Sequence, residues 1–152
     1  MRRSGFTLIE MLLVVVLLGL LSAIAYPRMK APVANLGVRS ARQQATEMLV
    51  VARSAAVQSG AETRFIRSGN VLRTVMDSSG TWITIASRDL YATHGVTVAI
   101  TGILPKDTIR FDARGVAIGL TGTETIKFTN STAADSVCVL RVGKVARGGC
   151  PS

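Results

Sequence analysis

The sequence predicts an α+β chain in which one long N-terminal helix packs on a C-terminal antiparallel β-sheet domain. Three observations carry this. Residues 6–26 are almost wholly apolar, with Glu10 as their single charge. From Val38 to Ala56, apolar residues recur at three- and four-residue spacing, the pattern of one helical face. From Glu62 onward the pattern changes to alternation and short apolar runs cut by turn residues, which is the pattern of strands.

As a helix, residues 6–26 would be about 31 Å long, enough to cross a hydrocarbon core. The remainder, Arg28 to Ser152, has the length for one small core. Arg2 and Arg3 stand ahead of the apolar run, so the positive-inside rule keeps Met1 cytoplasmic and sends the C-terminal domain outward. An ordinary secretory signal would end in a small-x-small site after a shorter apolar core. Leu21-Ser22-Ala23 and Ser22-Ala23-Ile24 fit that poorly. A plain signal anchor explains the apolar run and its orientation, but not Glu10. A carboxylate inside such a segment costs about 2.5–3.5 kcal/mol on insertion scales, so it calls for a partner or a function.

Gly5-Phe6-Thr7-Leu8-Ile9-Glu10, with a short basic leader ahead and a long apolar helix behind, resembles the processing motif of type IV prepilins and type II secretion pseudopilins. The resemblance implies cleavage after Gly5 by a membrane-embedded prepilin peptidase, N-methylation of Phe6, and retention of the apolar helix. It also implies that Glu10 pairs with the terminal amine of a neighbouring subunit's Phe6 during assembly. Two opposite charges in a low-dielectric setting offset each other's desolvation, whereas either alone is costly. Pro27 stands where many pilins carry a helix-bending proline. Equally, Pro27 and Pro32 can simply mark the exit from the membrane, since proline removes a helix hydrogen bond and crowds the preceding turn.

Beyond Pro32 the apolar face reads Val38, Ala41, Ala45, Met48, Leu49, Ala52 and Ala56, with Arg39, Arg42, Gln43, Thr46 and Arg53 largely opposite. Gly60 is the expected stop. The expected strands are Thr63–Arg67, Val71–Met76, Thr81–Ala86, Val96–Thr101, Thr108–Asp112, Thr125–Phe128 and Val137–Val142, forming a sheet in one piece or two. Turn signals fall at Asp77-Ser78-Ser79-Gly80, Arg114-Gly115, Thr121-Gly122 and Gly143-Lys144. The expected organisation is therefore a leader over 1–5, a transmembrane and assembly helix over 6–27, an amphipathic half over 28–60 and a β-rich domain over 61–152. This is the pilin-like architecture, with a spine helix from about Phe6 to Gly60.

Within that superfamily, Leu49–Val57, Ile109–Gly115, Val137–Val145 and the late Cys150 resemble the H-type minor pseudopilin and FimT group, GspH/FimT. The resemblance implies a minor pseudopilin or pilin, a structural subunit of a type II secretion pseudopilus or type IV pilus. Its expected partners are other pilins or pseudopilins in a helical filament, the prepilin peptidase, the inner-membrane assembly platform and the inner membrane itself. The expected location is the bacterial inner membrane, single-pass with the domain outside, and then the pilus or periplasmic pseudopilus. Two alternatives stay open: a DNA-binding minor pilin for DNA uptake, and a major fibre-forming pilin.

Little in the sequence points to chemistry. His94 is the single histidine, with no second ligand type at metal-binding spacing. Cys138 and Cys150 form no C-x-x-C pair, so zinc is not expected; outward topology makes them a disulfide candidate instead. Asp107 and Asp112 lack the dense oxygen ligands of a calcium loop. Neither a nucleophile elbow nor a phosphate-binding loop is present. The expectation is a non-enzyme without metal or cofactor. The formal charge is +9, from 18 Lys and Arg against 9 Asp and Glu, which favours acidic partners without defining a site. FimT-type pilins bind DNA through a basic C-terminal motif, and Arg141, Lys144 and Arg147 are the corresponding candidates here, on a segment read as able to reach away from the sheet. The sequence departs from the Gly-Arg-x-Arg pattern in having Lys144 first and Arg147 one position late. With no aromatic residue after Phe128, such a tail would meet phosphates alone.

Overall fold

The structure, a computed structural model, describes residues 7–102, 107–120, 122–147 and 150; the side chains of Ala25, residues 27–31 and Arg147 are not among those described. It divides into two units, Met1–Val33 and Ala34–Ser152. Helix α1, Leu8–Ser59, contributes to both. In the first unit the large apolar side chains from Leu8 to Ile24 are exposed.

In the second unit α1 buries Val38, Ala41, Ala45, Met48, Leu49, Ala52 and Ala56, the whole of the expected face. Five of these are Ala or Val, so strands can approach the helix closely. The helix stops at Ser59 because Gly60 takes up a left-handed conformation, φ +65°. Two sheets share the core with it. Strands β1 (Thr63–Ser68), β2 (Val71–Ser78), β3 (Thr81–Asp89), β5 (Thr108–Phe111) and β6 (Ala117–Ile118) form a five-stranded sheet in the order β3-β2-β1-β5-β6. Strands β4 (Thr97–Thr101), β7 (Glu124–Thr129), β8 (Ala134–Val139) and β9 (Val145–Arg147) form a four-stranded sheet in the order β4-β7-β8-β9. All pairings are antiparallel. Phe65 and Phe111 from the first sheet and Ile126 and Phe128 from the second meet the helix in one core cluster.

The sheets are tied to each other and to the helix by polar contacts. Asn70 accepts from the Val98 amide (3.2 Å) and Arg67 donates to the Val98 carbonyl (3.2 Å), joining the β1–β2 turn to β4. Arg67 also pairs with Asp107. At the other end the Ala117 amide donates to the Arg141 carbonyl (3.0 Å), joining β6 to the β8–β9 turn.

Four features depart from the sequence reading, one of them strand β6, which pairs with β5 and is not among the expected strands. Helix α2, Leu90–His94, is a single turn, capped by Asp89, whose carboxylate accepts from Tyr91 and Ala92 amides; five residues are too few to show a helical period. Strand β8 begins at Ala134 rather than Val137 and ends at Val139 rather than Val142. The Gly143 amide donates to the Leu140 carbonyl (2.8 Å), which puts Arg141 and Val142 in a turn. Residues 145–147 then pair with Val137–Val139 as β9, so they do not reach away from the sheet.

Candidate functional site: the helix start and the C-terminal hairpin

Gly5 and Phe6, the expected processing and methylation positions, lie outside the described residues. Immediately after them Thr7 caps α1. Its carbonyl accepts from the Glu10 and Met11 amides (3.1 and 3.2 Å), and its hydroxyl also faces the Glu10 amide (3.3 Å). Thr7-Leu8-Ile9-Glu10 thus has the T-x-x-E spacing of a capping box. A carboxylate in the first turn is favoured by the helix dipole. Glu10 is exposed and therefore has two physical reasons for its place: it suits a helix start, and it is free to meet a cation from outside the chain. The capping residues Thr7 and Glu10 lie within the processing motif itself. Pro27 falls within α1, which carries on to Ser59.

Cys138 and Cys150 are joined, with Cα atoms 5.4 Å apart. Cys138 is fully buried on β8, and the Thr125 hydroxyl of β7 contacts the Cys150 sulfur (3.0 Å). The bond holds the last described residue against the four-stranded sheet. Of the basic candidates, Arg141 and Lys144 are exposed in the β8–β9 turn and Arg147 lies in β9.

That turn is held by two glycines the sequence reading treated only as turn signals. Gly115 (φ +74°) and Gly143 (φ +73°) are both buried, and a β-carbon on Gly143 would overlap the Gly115 carbonyl. Arg53 of α1 lies over both, its Nε 3.0 and 3.2 Å from the positions such β-carbons would occupy. Helix, β5–β6 turn and β8–β9 turn therefore meet at one point. Asp112 builds the first of these turns: its carboxylate accepts from the Arg114 and Val116 amides (2.9 Å each). Those backbone donors, with the Arg114 guanidinium, lower its pKa.

His94 contacts Gln44 (2.9 Å between Nε2 atoms), joining α2 to the helix. Among the described residues no group of three His, Cys, Asp or Glu is placed to hold a metal ion. Nor, among them, is any helix long and apolar enough to cross a membrane. From Leu8 to Ile24 the described side chains are apolar apart from Glu10, Gly19 and Ser22, a stretch short of the ~20 residues a span needs; the expected span over 6–27 also counts Phe6, Ala25 and Pro27.

Residues 1–26 match the family model of the prokaryotic N-terminal methylation motif. No curated protein matches the sequence significantly. Among solved structures, the fold is similar to the type IV minor pilin FimU of Pseudomonas aeruginosa, with a TM-score of 0.60 at 17% identity over 76% of this chain and 92% of that one. It is also similar to the minor pseudopilin EpsH of the Vibrio cholerae type II secretion system, with a TM-score of 0.55 at 11% identity over 80% of this chain and 97% of that one. At such identities the likeness is one of fold. An N-terminal methylation motif followed by this α+β fold defines a class, the pilin-like proteins. This chain combines the two, the motif over residues 1–26 and a pilin-like fold.

Proposed function

We propose that this chain is a minor pilin or pseudopilin, a structural subunit that works by joining a filament rather than by catalysis. One observation carries the reading: a methylation motif on residues 1–26 stands on the same chain as a fold shared with FimU and EpsH. In this reading a prepilin peptidase cuts after Gly5 and methylates Phe6, and the apolar helix holds the subunit in the inner membrane with its domain outside. An assembly platform then moves the helix into a bundle with other pilins. Glu10, exposed in the first turn, meets the Phe6 amine of a neighbour, each charge offsetting the cost of the other in a low-dielectric setting.

Incorporation of Glu10→Leu into filaments tests this. The variant should insert and be cleaved normally, because the substitution removes an insertion cost, yet be missing from sheared filaments. Incorporation at the wild-type level would refute the pairing role.

A further inference from the structure

Cations far apart in the sequence gather around the Gly115–Gly143 contact. Arg53 lies over both glycines, and Val57, one helical turn further on, comes within 2.9 Å of the place a β-carbon on Gly115 would take. Arg114 and Val116 flank Gly115, while Val142 and Lys144 flank Gly143, with Arg141 just ahead. All of these side chains are exposed, Arg114 at 83% and Val142 at 62%. Two shallow grooves open beside the contact. One, of about 330 Å³, runs along the helix between Val50, Arg53 and Val57. The other, of about 250 Å³, lies between Thr123, Leu140 and Val142, with Arg141 in its wall.

Backbone contact between the two turns fixes the spacing of the cations they carry. Among the described residues Arg53, Arg141 and Lys144 form no ion pair, and Arg114 pairs with Asp112 of its own turn. The chain has little of its own to neutralise them. Of its nine carboxylates, Glu62, Asp107, Asp112 and Asp135 are in ion pairs. Asp77 and Asp89 accept from turn amides, and Glu47 accepts from Gln43. Glu124 is buried, which leaves Glu10 in the first turn of α1.

We propose that this surface binds an acidic segment of a different protein chain. Its carboxylates meet Arg53, Arg114, Arg141 and Lys144, and its apolar side chains enter the two grooves. Apolar hollows ringed by charge are how protein–protein interfaces are built, and the charge selects the partner. Phosphate groups would use the cations alone and leave Val57 and Val142 facing water. Insertion at a lipid surface calls for long apolar side chains such as Trp, Phe or Leu, whereas the exposed ones here are valines. A second copy brings no acidic cluster, because its carboxylates are used as listed for the first. The surface is defined by the domain alone and rests on no step of processing.

The probe is a fluorescein-labelled peptide of the pattern Glu-Leu-Glu-Glu-Leu-Glu, titrated with full-length protein in phosphatidylcholine nanodiscs and followed by anisotropy. Binding at low ionic strength is expected, weakening as salt passes about 0.1 M, where screening acts within about 10 Å. Lys144→Glu should weaken it about five-fold and Lys144→Gln about two-fold; the second variant guards against a folding defect in the first. Lys127→Glu makes the same change of charge on an exposed residue of β7 outside the surface. It should change affinity by less than about two-fold. Val142→Ser should weaken binding about three-fold, and a Glu-Ser-Glu-Glu-Ser-Glu peptide should bind the wild type more weakly still. Absence of binding would overturn the proposal. So would equal weakening by Lys127→Glu and Lys144→Glu, or equal affinity for the two peptides, either of which would leave a general anion surface. Displacement of the peptide by phosphatidylglycerol vesicles would assign the surface to lipid. Self-association that Val142→Ser removes would assign it to a second copy, and either result would overturn the proposal too.

Discussion

Thr63 donates its hydroxyl to the Ala52 carbonyl oxygen of α1, 2.8 Å away, with both residues fully buried. Thr74 on the neighbouring strand faces the Met48 carbonyl in the same way, at 3.4 Å. One helical turn separates the two acceptors, so the strand pair is set in register along the spine. Ala52 already serves the helix ladder, so Thr63→Val removes a second bond without stranding its acceptor. The expected loss is about 1 kcal/mol, seen as a lower midpoint in urea with an unchanged slope. Thr63→Ala should cost more, because it leaves a cavity as well.

Gly143 is the most restricted position in the C-terminal hairpin. An alanine there meets both a left-handed φ and the Gly115 carbonyl, and backbone cannot move aside as a side-chain end can. Gly143→Ala should cost about 2 kcal/mol or more. Gly80→Ala shares the positive φ but has open space around it, so it should cost less. Equal thermal shifts for the two variants would show that the Gly115–Gly143 contact adds nothing.

Glu62 gives the domain an acid-sensitive contact. Its hydrogen bond from Arg110, helped by Arg64, lowers its pKa from 4.5 to about 2. A carboxylate with a depressed folded pKa adds stability that is complete above the unfolded pKa and is lost as pH falls through the folded one. Unfolding midpoints of the wild type should therefore decline between about pH 4.5 and pH 2. Glu62→Gln should flatten this limb, and salt should shrink the difference because the group is partly exposed. An identical acid limb in the variant would show that the two arginines do not stabilise the ionised form.

The helical face could be read residue by residue, because helix period depends on local spacing alone. Every position from Val38 to Ala56 expected inside is inside. Seven strands were likewise visible as alternation between turn residues. The missed pieces are those that depend on distant partners. Residues 117–118 are a strand only because Arg110 and Phe111 lie beside them, and residues 145–147 only because Gly143 turns the chain back onto β8. The division into two sheets follows from contacts such as Arg67 to Val98, which no local pattern encodes. The methylation motif could be read from its spacing, whereas the Gly115–Gly143 junction could not, since only the folded chain brings those two turns together.

The Cys138–Cys150 bond closes a loop of sequence separation 12 and pins the chain after β9. A loop of this size stabilises by about 2–3 kcal/mol in the chain-entropy model. Reduction, or a Cys138→Ala/Cys150→Ala double variant, should lower the unfolding midpoint accordingly. Protein made in an oxidising compartment and denatured without reductant should show no reactive thiol. Two labelled thiols would refute the bond in the mature protein.

The central claim, that this is a processed pilin-type subunit, is tested most directly by the intact mass of the membrane-bound protein after co-expression with a prepilin peptidase. The expected result is a chain that lacks residues 1–5, begins at Phe6, carries one added methyl group and stays in the membrane fraction. Cleavage after Ala23 or Ala25 with release of a soluble domain would contradict it, because the apolar helix would then be a discarded signal and could not serve as a spine.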